Sequence, residues 1–215
     1  MREHMGPGDI ERASMEIITD ELARRGILIP PEREAVVKRV IHTTADFDFA
    51  QTMRFSRKAV ELGVEALKKG TAIVTDTNMA RSGVSAPSLK KLGGEVLCYM
   101  AHEDVAREAK ARGTTRAAVS MEKMARERPG AIVAVGNAPT ALLELARLIE
   151  GGLRPALVVA VPVGFVNVVE SKEEIWETCM AHDIPIIAAM GRKGGSTVAA
   201  AICNALLYTA TGREV

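Results

Sequence analysis

The apolar residues of the chain gather in five short runs: "TAIVTD" (71–76), "EVLCYM" (95–100), "AIVAVG" (131–136), "ALVVAVPV" (156–163) and "PIIAAMG" (185–191). Several are too continuous for a strand with one wet face, so they predict strands buried on both sides. Between them lie helical patterns with start and stop signals; "SRKAVELGVEALKKG", for instance, opens on Ser56 and closes on Gly70. This alternation predicts an α/β, doubly wound fold, a mainly parallel five-stranded sheet with helices on both faces. Two helices precede it, Ile10 to Arg25 with Asp9 as cap and Gly26 as stop, then Pro31 to about His42. This N-terminal helical pair and the sheet form one expected domain over residues 1–215, with no internal repeat, low-complexity tract or linker.

In an open parallel sheet, ligands bind beyond the carboxyl ends of the strands, where the strand-to-helix loops and helix N-termini converge. Those loops read "DTNMARSG", "AHED", "GNAPT", "GFVNVVESKE" and "GRKGGST". They concentrate polar, glycine-rich and cationic residues, whereas the opposite turns carry plain stops such as "KKLGG" and "IEGGLRP".

Composition narrows the function classes. At 215 residues, 47% hydrophobic and 26% charged, the chain is long enough to bury one sizeable core. A net charge of +1 and 3% aromatics provide neither the basic stripe nor the stacking platform of a nucleic-acid binder, so a small-molecule partner is expected. Cys98, Cys179 and Cys203 are far apart and form no CxxC pair, which argues against a disulfide framework and a zinc site and fits a reduced cytoplasm. "MREHMGPGDI" lacks the apolar core of a signal peptide, and the longest apolar run is roughly half of what a bilayer span needs, so no membrane partner is expected.

The candidate chemistry lies in the loops. "GRKGGST" joins a buried strand to an apolar helix; its glycines permit close backbone approach, and Arg192 and Lys193 add charge. With the free N–H groups of a helix start, that makes an anion site for phosphate or carboxylate, the alternative being a tight turn capped by Ser196 or Thr197. In "GNAPTALLEL", Pro139 suits a first helical turn with Asn137 or Ala138 near the cap, and either ligand contact or plain capping explains it. "GFVNVVESKE" holds Asn167, Glu170, Ser171 and Lys172, which read equally as a binding loop or as a solvated surface. Arg81 and Arg116 could each grip a carboxylate with two bonds or stand solvated; several cations on one face would suit a ligand with several carboxylates.

Of the histidines, His4 lies in the terminus and His182 precedes the last strand, at the wrong end of the sheet. His42 and His102 remain. Asp46 or Asp48 beside His42 could orient it and make it a better acid, and nothing with metal-ligand spacing accompanies it, so no metal is expected. Composition alone leaves a packed and a catalytic His42 both open.

Together "VIHTTADFDFA", "GTTRAAV", "VAVGNAPTALLEL", "PVGFVNVVESKE" and "GRKGGSTVAAAICNALL" resemble the precorrin-8X methylmutase family of cobalamin biosynthesis, from about Ser14 to the last helix. The resemblance implies an isomerase that moves a methyl group from C11 to C12 of precorrin-8X, or of cobalt-precorrin-8, without an added cofactor. It implies that His42 is the general acid near ring C and that Asp46 supports it. Arg116, Arg192, Lys193 and the amides of Gly194 and Gly195 would bind carboxylate arms, while Met79 and Pro139 would face the macrocycle. Ser14, Thr43, Thr77, Arg81, Asn137, Gly164 and Ser171 complete the expected substrate-binding set. A homodimer with the site near the subunit interface is also implied. The chain departs from the family pattern at Met15, Ala117 and the "AHED" loop. Two rivals share these residues: a tetrapyrrole carrier without turnover, and a nucleotide-dependent enzyme using "GRKGGST", though the nucleotide fingerprints are missing.

Overall fold

The computed structural model describes residues 6–213, so His4 lies outside the described residues. Each of the five apolar runs contains a strand: β2 (Ile73–Thr75), β3 (Val96–Leu97), β4 (Ile132–Val135), β5 (Leu157–Ala160) and β6 (Ile186–Ala189). The sheet has six strands rather than five, in the order β1-β6-β5-β4-β2-β3. The addition is β1 (Met53–Phe55), an edge strand antiparallel to β6, with Met53 opposite Ala189. Three residues are too few to show a period of two, which is why the sequence pattern does not reveal it.

Successive side chains of one strand point to opposite faces. In β5, Leu157 and Val159 join a core with α1 (Pro7–Arg24), α2 (Pro31–Thr44), α4 (Ala59–Lys68), α5 (Asn78–Gly83), α6 (Ala86–Lys91) and α11 (Ser196–Thr211). Val158 and Ala160 join the other, with α7 (Glu103–Arg112), α8 (Arg116–Glu127), α9 (Pro139–Glu150) and α10 (Val168–Ala181). Each fully buried Leu, Ile or Val is worth about 1.5–3 kcal/mol over exposure, so these two cores hold the layers together. The short helix α3 (Phe49–Thr52) leads into β1.

Helix boundaries differ from the expected ones in instructive ways. α1 begins at Pro7 with Gly6 as its cap, leaving Asp9 in the first turn. α4 begins at Ala59 behind Lys58 in a left-handed conformation, because the Ser56 hydroxyl is engaged by the Ile186 amide at 2.9 Å instead of capping the helix. α2 runs two residues past His42 and ends on Ala45, also left-handed at φ 54°.

Candidate functional site

Chain order reverses across the pair β2 and β4: one connection from β2 leads outward to β3, and the later strands β4, β5 and β6 follow on the other side. Ligands of such sheets bind in the crevice at that reversal. Asp76 occupies it. Its carboxylate accepts the backbone N–H groups of Gly136 at 2.8 Å, Asn137 at 2.8 Å and Ala138 at 2.7 Å. Asp76 thus caps α9 from a neighbouring strand, a task that neither Asn137 nor Ala138 performs with its own side chain. Burial pushes the Asp76 carboxyl above its ordinary range, against the pull of the three amide bonds.

The loops after β2 and β6 meet as well. Thr77 accepts the Ala80 amide at 3.0 Å as the cap of α5, and its hydroxyl pairs with that of Ser196 at 2.8 Å. A Cβ at Gly136 would stand 2.7 Å from the Ser196 Cα. The loop after β5 joins them through the Gly164 amide, which donates to the Arg192 carbonyl at 3.2 Å.

In the glycine-rich loop, a Cβ at Gly194 would lie 2.2 Å from the Val161 carbonyl oxygen, so no larger residue fits there. The Gly195 amide donates to the same oxygen at 2.8 Å. Beneath the loop lies Lys172, fully buried, with its ammonium donating to the carbonyls of Gly191 at 2.8 Å and Lys193 at 2.9 Å. Burial alone brings its pKa down to about 8.

His42 sits in the last turn of α2, exposed to solvent, so it is no core histidine. Among the described residues no hydrogen bond or ion pair joins it to Asp46. The Asp46 carboxylate instead receives the Asp48 amide at 3.0 Å and the Lys193 ammonium at 2.6 Å, and Lys193 also reaches Asp48 at 2.6 Å. The Lys193 bond holds Asp46 below the usual carboxylate range, and the two carboxylates raise Lys193. Lys193 is therefore not the free cation expected for substrate: it ties the loop after His42 to the glycine-rich loop. The hydroxyl of Thr43, beside His42, bonds back to the Arg39 carbonyl at 3.0 Å.

Arg116 opens α8, and the cap Thr115 bonds Thr140 at 3.1 Å, which brings Arg116 beside Pro139 at the start of α9. Arg116 is exposed and has no ion pair among the described residues. Arg192 is exposed too, its guanidinium 5.6 Å from the Phe165 ring centre. Arg81 turns toward β3, its Nε 3.4 Å from the Val96 carbonyl. Met79, 69% exposed, stands free, and the Asn137 side chain is exposed while its amide is committed to Asp76.

Two of the expected positions are engaged within their own helices. Ser171 is fully buried and its hydroxyl bonds the Val168 carbonyl at 3.0 Å, because it lies on the inner face of α10. Ser14 spends its hydroxyl on the Ile10 carbonyl at 2.8 Å, and among the described residues no bond links it to the strand-end loops. The "AHED" loop follows the edge strand β3, where Tyr99 stacks edge-on against His102 and Asp104 pairs with Lys123 of α8. Arg128, just past the end of α8, bonds Glu95 ahead of β3 at 2.8 Å.

Sequence reasoning missed Asp76 and the inner role of Lys172. Both had a signal. Asp76 ends a buried strand, and Lys172 shares a helical stripe with Val168, Ile175 and Cys179.

Among the described residues, no group of three or more His, Cys, Asp or Glu is arranged to hold a metal ion, and no helix is long and apolar enough to cross a membrane. The family model described as precorrin-8X methylmutase matches residues 9–209. The cobalt-precorrin-8 methylmutase of Priestia megaterium is 45% identical over 93% of this chain and 87% of its own length. That of Salmonella typhimurium is 44% identical, over 94% and 95%. The crystal structure of the precorrin-8X methylmutase from Thermus thermophilus superposes with a TM-score of 0.83 at 41% identity, covering 96% of this chain and 99% of that one.

Proposed function

The chain belongs to the precorrin-8X methylmutase family, and we propose that its reaction is the shift of a methyl group from C11 to C12 of cobalt-precorrin-8 or precorrin-8X, giving cobyrinic or hydrogenobyrinic acid. It is an isomerase of cobalamin biosynthesis. The observation that carries the assignment of roles is the Asp46–Lys193–Asp48 bridge, which ties the loop carrying an exposed, unencumbered His42 to the glycine-rich loop.

In this reading His42 donates a proton to the macrocycle near ring C, which eases the methyl shift. Substrate and product are isomers, so the proton is released again as the product forms. A positioned acid accounts for about 10²–10⁴ in rate, and the remainder comes from holding the ring in a reactive geometry. Arg116 and Arg192 take carboxylate arms, helped by amides of the glycine-rich loop, while Met79 and Pro139 give the ring an apolar bed. Asp46 acts through Lys193, as a support for the loop that carries His42. We read the protein as a cytoplasmic homodimer. Its buried, unpaired cysteines fit a reducing compartment, and the exposed Met79, Phe165 and Val166 beside the site suit a partner subunit.

The test is the visible absorption spectrum of purified protein with each tetrapyrrole, followed over time, because moving the methyl changes the conjugated system. Conversion to the corrin spectrum is expected, with the cobalt form the first to try given the relatives' names. Bound pigment with a static spectrum would sink the isomerase in favour of a carrier.

A further inference from the structure

Lys172 fills an apolar position of α10, yet it carries an ammonium with no carboxylate in salt-bridge reach among the described residues. Burying a charge without a counter-ion is costly, and two carbonyl bonds offset only part of that. A methionine of similar length would fill the space without this cost. Holding the two carbonyls calls for a donor rather than a net charge, and a ligand that brings a negative charge to the loop gives that charge a counter-ion.

Peptide geometry says where that ligand sits. In a trans peptide the carbonyl of one residue and the N–H of the next point in opposite directions, and no peptide among the described residues is cis. The carbonyls of Gly191 and Lys193 turn inward to Lys172, so the N–H groups of Arg192 and Gly194 turn away from it. Among the described residues, neither amide has a backbone acceptor. Gly195, by contrast, donates to Val161, and the 2.2 Å approach that a Cβ at Gly194 would make keeps the loop flat against the end of β5. Two N–H groups without a backbone acceptor, facing away from a buried cation, have the donor set and the charge that an anion needs. The Arg192 side chain is exposed beside them, while the Lys193 ammonium is already taken by Asp46 and Asp48.

We propose that Lys172 is the positioning residue of a carboxylate site: it holds the Gly191 and Lys193 carbonyls inward so that the Arg192 and Gly194 amides receive one carboxylate arm of the substrate. Identifying the carboxylate as a tetrapyrrole arm rests on the methylmutase reading; the geometry of the loop does not.

The experiment uses the full-length ¹⁵N-labelled chain at pH 7, with citrate as a polycarboxylate probe. In the wild type, the Arg192 and Gly194 amide resonances shift saturably and more than any others. In Lys172→Met, whose remaining spectrum reports whether it folds, citrate binding weakens about tenfold, the loss of roughly one charge-assisted contact. No shift at those amides in the wild type, or wild-type citrate affinity in a folded Lys172→Met, overturns the proposal. With the tetrapyrrole, Lys172→Met raises KM about tenfold while kcat stays nearly constant, and Lys172→Arg recovers part of the loss, the pattern expected for uniform binding rather than chemistry. Citrate shifts in a wild type that converts neither tetrapyrrole would support the loop site and overturn the methylmutase reading.

Discussion

The inside of the candidate site and its rim are built on opposite principles. Inside, Asp76 spends its carboxylate on three amides and Lys172 spends its ammonium on two carbonyls, both out of reach of solvent. On the rim, His42, Arg116 and Arg192 are exposed, and none of the three has an ion pair among the described residues. Charge-assisted bonds are strong in a dry interior and weak on a wet surface, so the buried groups fix the loops and the exposed ones are left for the ligand to cover. Lys193 stands between the two: exposed, but satisfied by Asp46 and Asp48.

If that division is right, replacing a rim group costs chemistry, and removing the Asp76 carboxylate, which leaves buried amides unpaired, costs stability. The largest effect is expected at His42→Ala: kcat falls about 10²–10⁴-fold while unfolding free energy stays within about 0.5 kcal/mol, as turnover assays and urea titration would show. An active His42→Ala enzyme would remove the acid from the scheme.

Asp76→Ala should do the reverse. Leaving three N–H groups without their acceptor lowers unfolding free energy by about 3 kcal/mol or more, readable as a shift of the urea midpoint at constant slope. Wild-type stability in this variant would refute the clamp.

The next effect is in pH. Lys172 has a lowered pKa of about 8 in the folded chain against 10.5 unfolded, so between those values the unfolded chain binds more protons and stability rises with pH. The full gap corresponds to roughly 3 kcal/mol, of which only the part up to pH 10 is accessible. The difference between wild type and Lys172→Met isolates this group, and a constant difference from pH 7 to 10 would mean that the ammonium is not desolvated.

The smallest change is expected at the bridge. Lys193→Met should leave the thermal midpoint where it is and lower kcat several-fold, since the His42 loop loses its tie to the glycine-rich loop. High salt should mimic it in the wild type, and an unchanged kcat would show that the bridge is ornamental.

How much of this was legible beforehand follows from the range of each interaction. The five apolar runs, the cationic loops and the position of His42 at the end of a helix are local patterns, and a period or a spacing in the chain determines them. The helix boundary at Ser56 moved because a distant group competed for the cap, since Ser56 bonds Ile186, 130 residues away, whereas α1 starts at Pro7 and so takes Asp9 into its first turn. Ser171 and Lys172 read as binding-loop or solvated residues because charge and polarity suggest an accessible position, yet they lie at helical spacing with the buried Val168 and Ile175.

The sequence by itself determined the alternation of strand and helix, the loops that meet at one end of the sheet, and the residue types able to bind a polycarboxylate and give a proton. Only the tertiary structure decided which of them are free. Asp76 finds its amides 60 to 62 residues on, and Lys193 finds its carboxylates 147 and 145 residues back. Such pairings depend on strand order and register, which no local periodicity encodes, and they divide the polar residues into those that hold the loops and those left exposed on the rim.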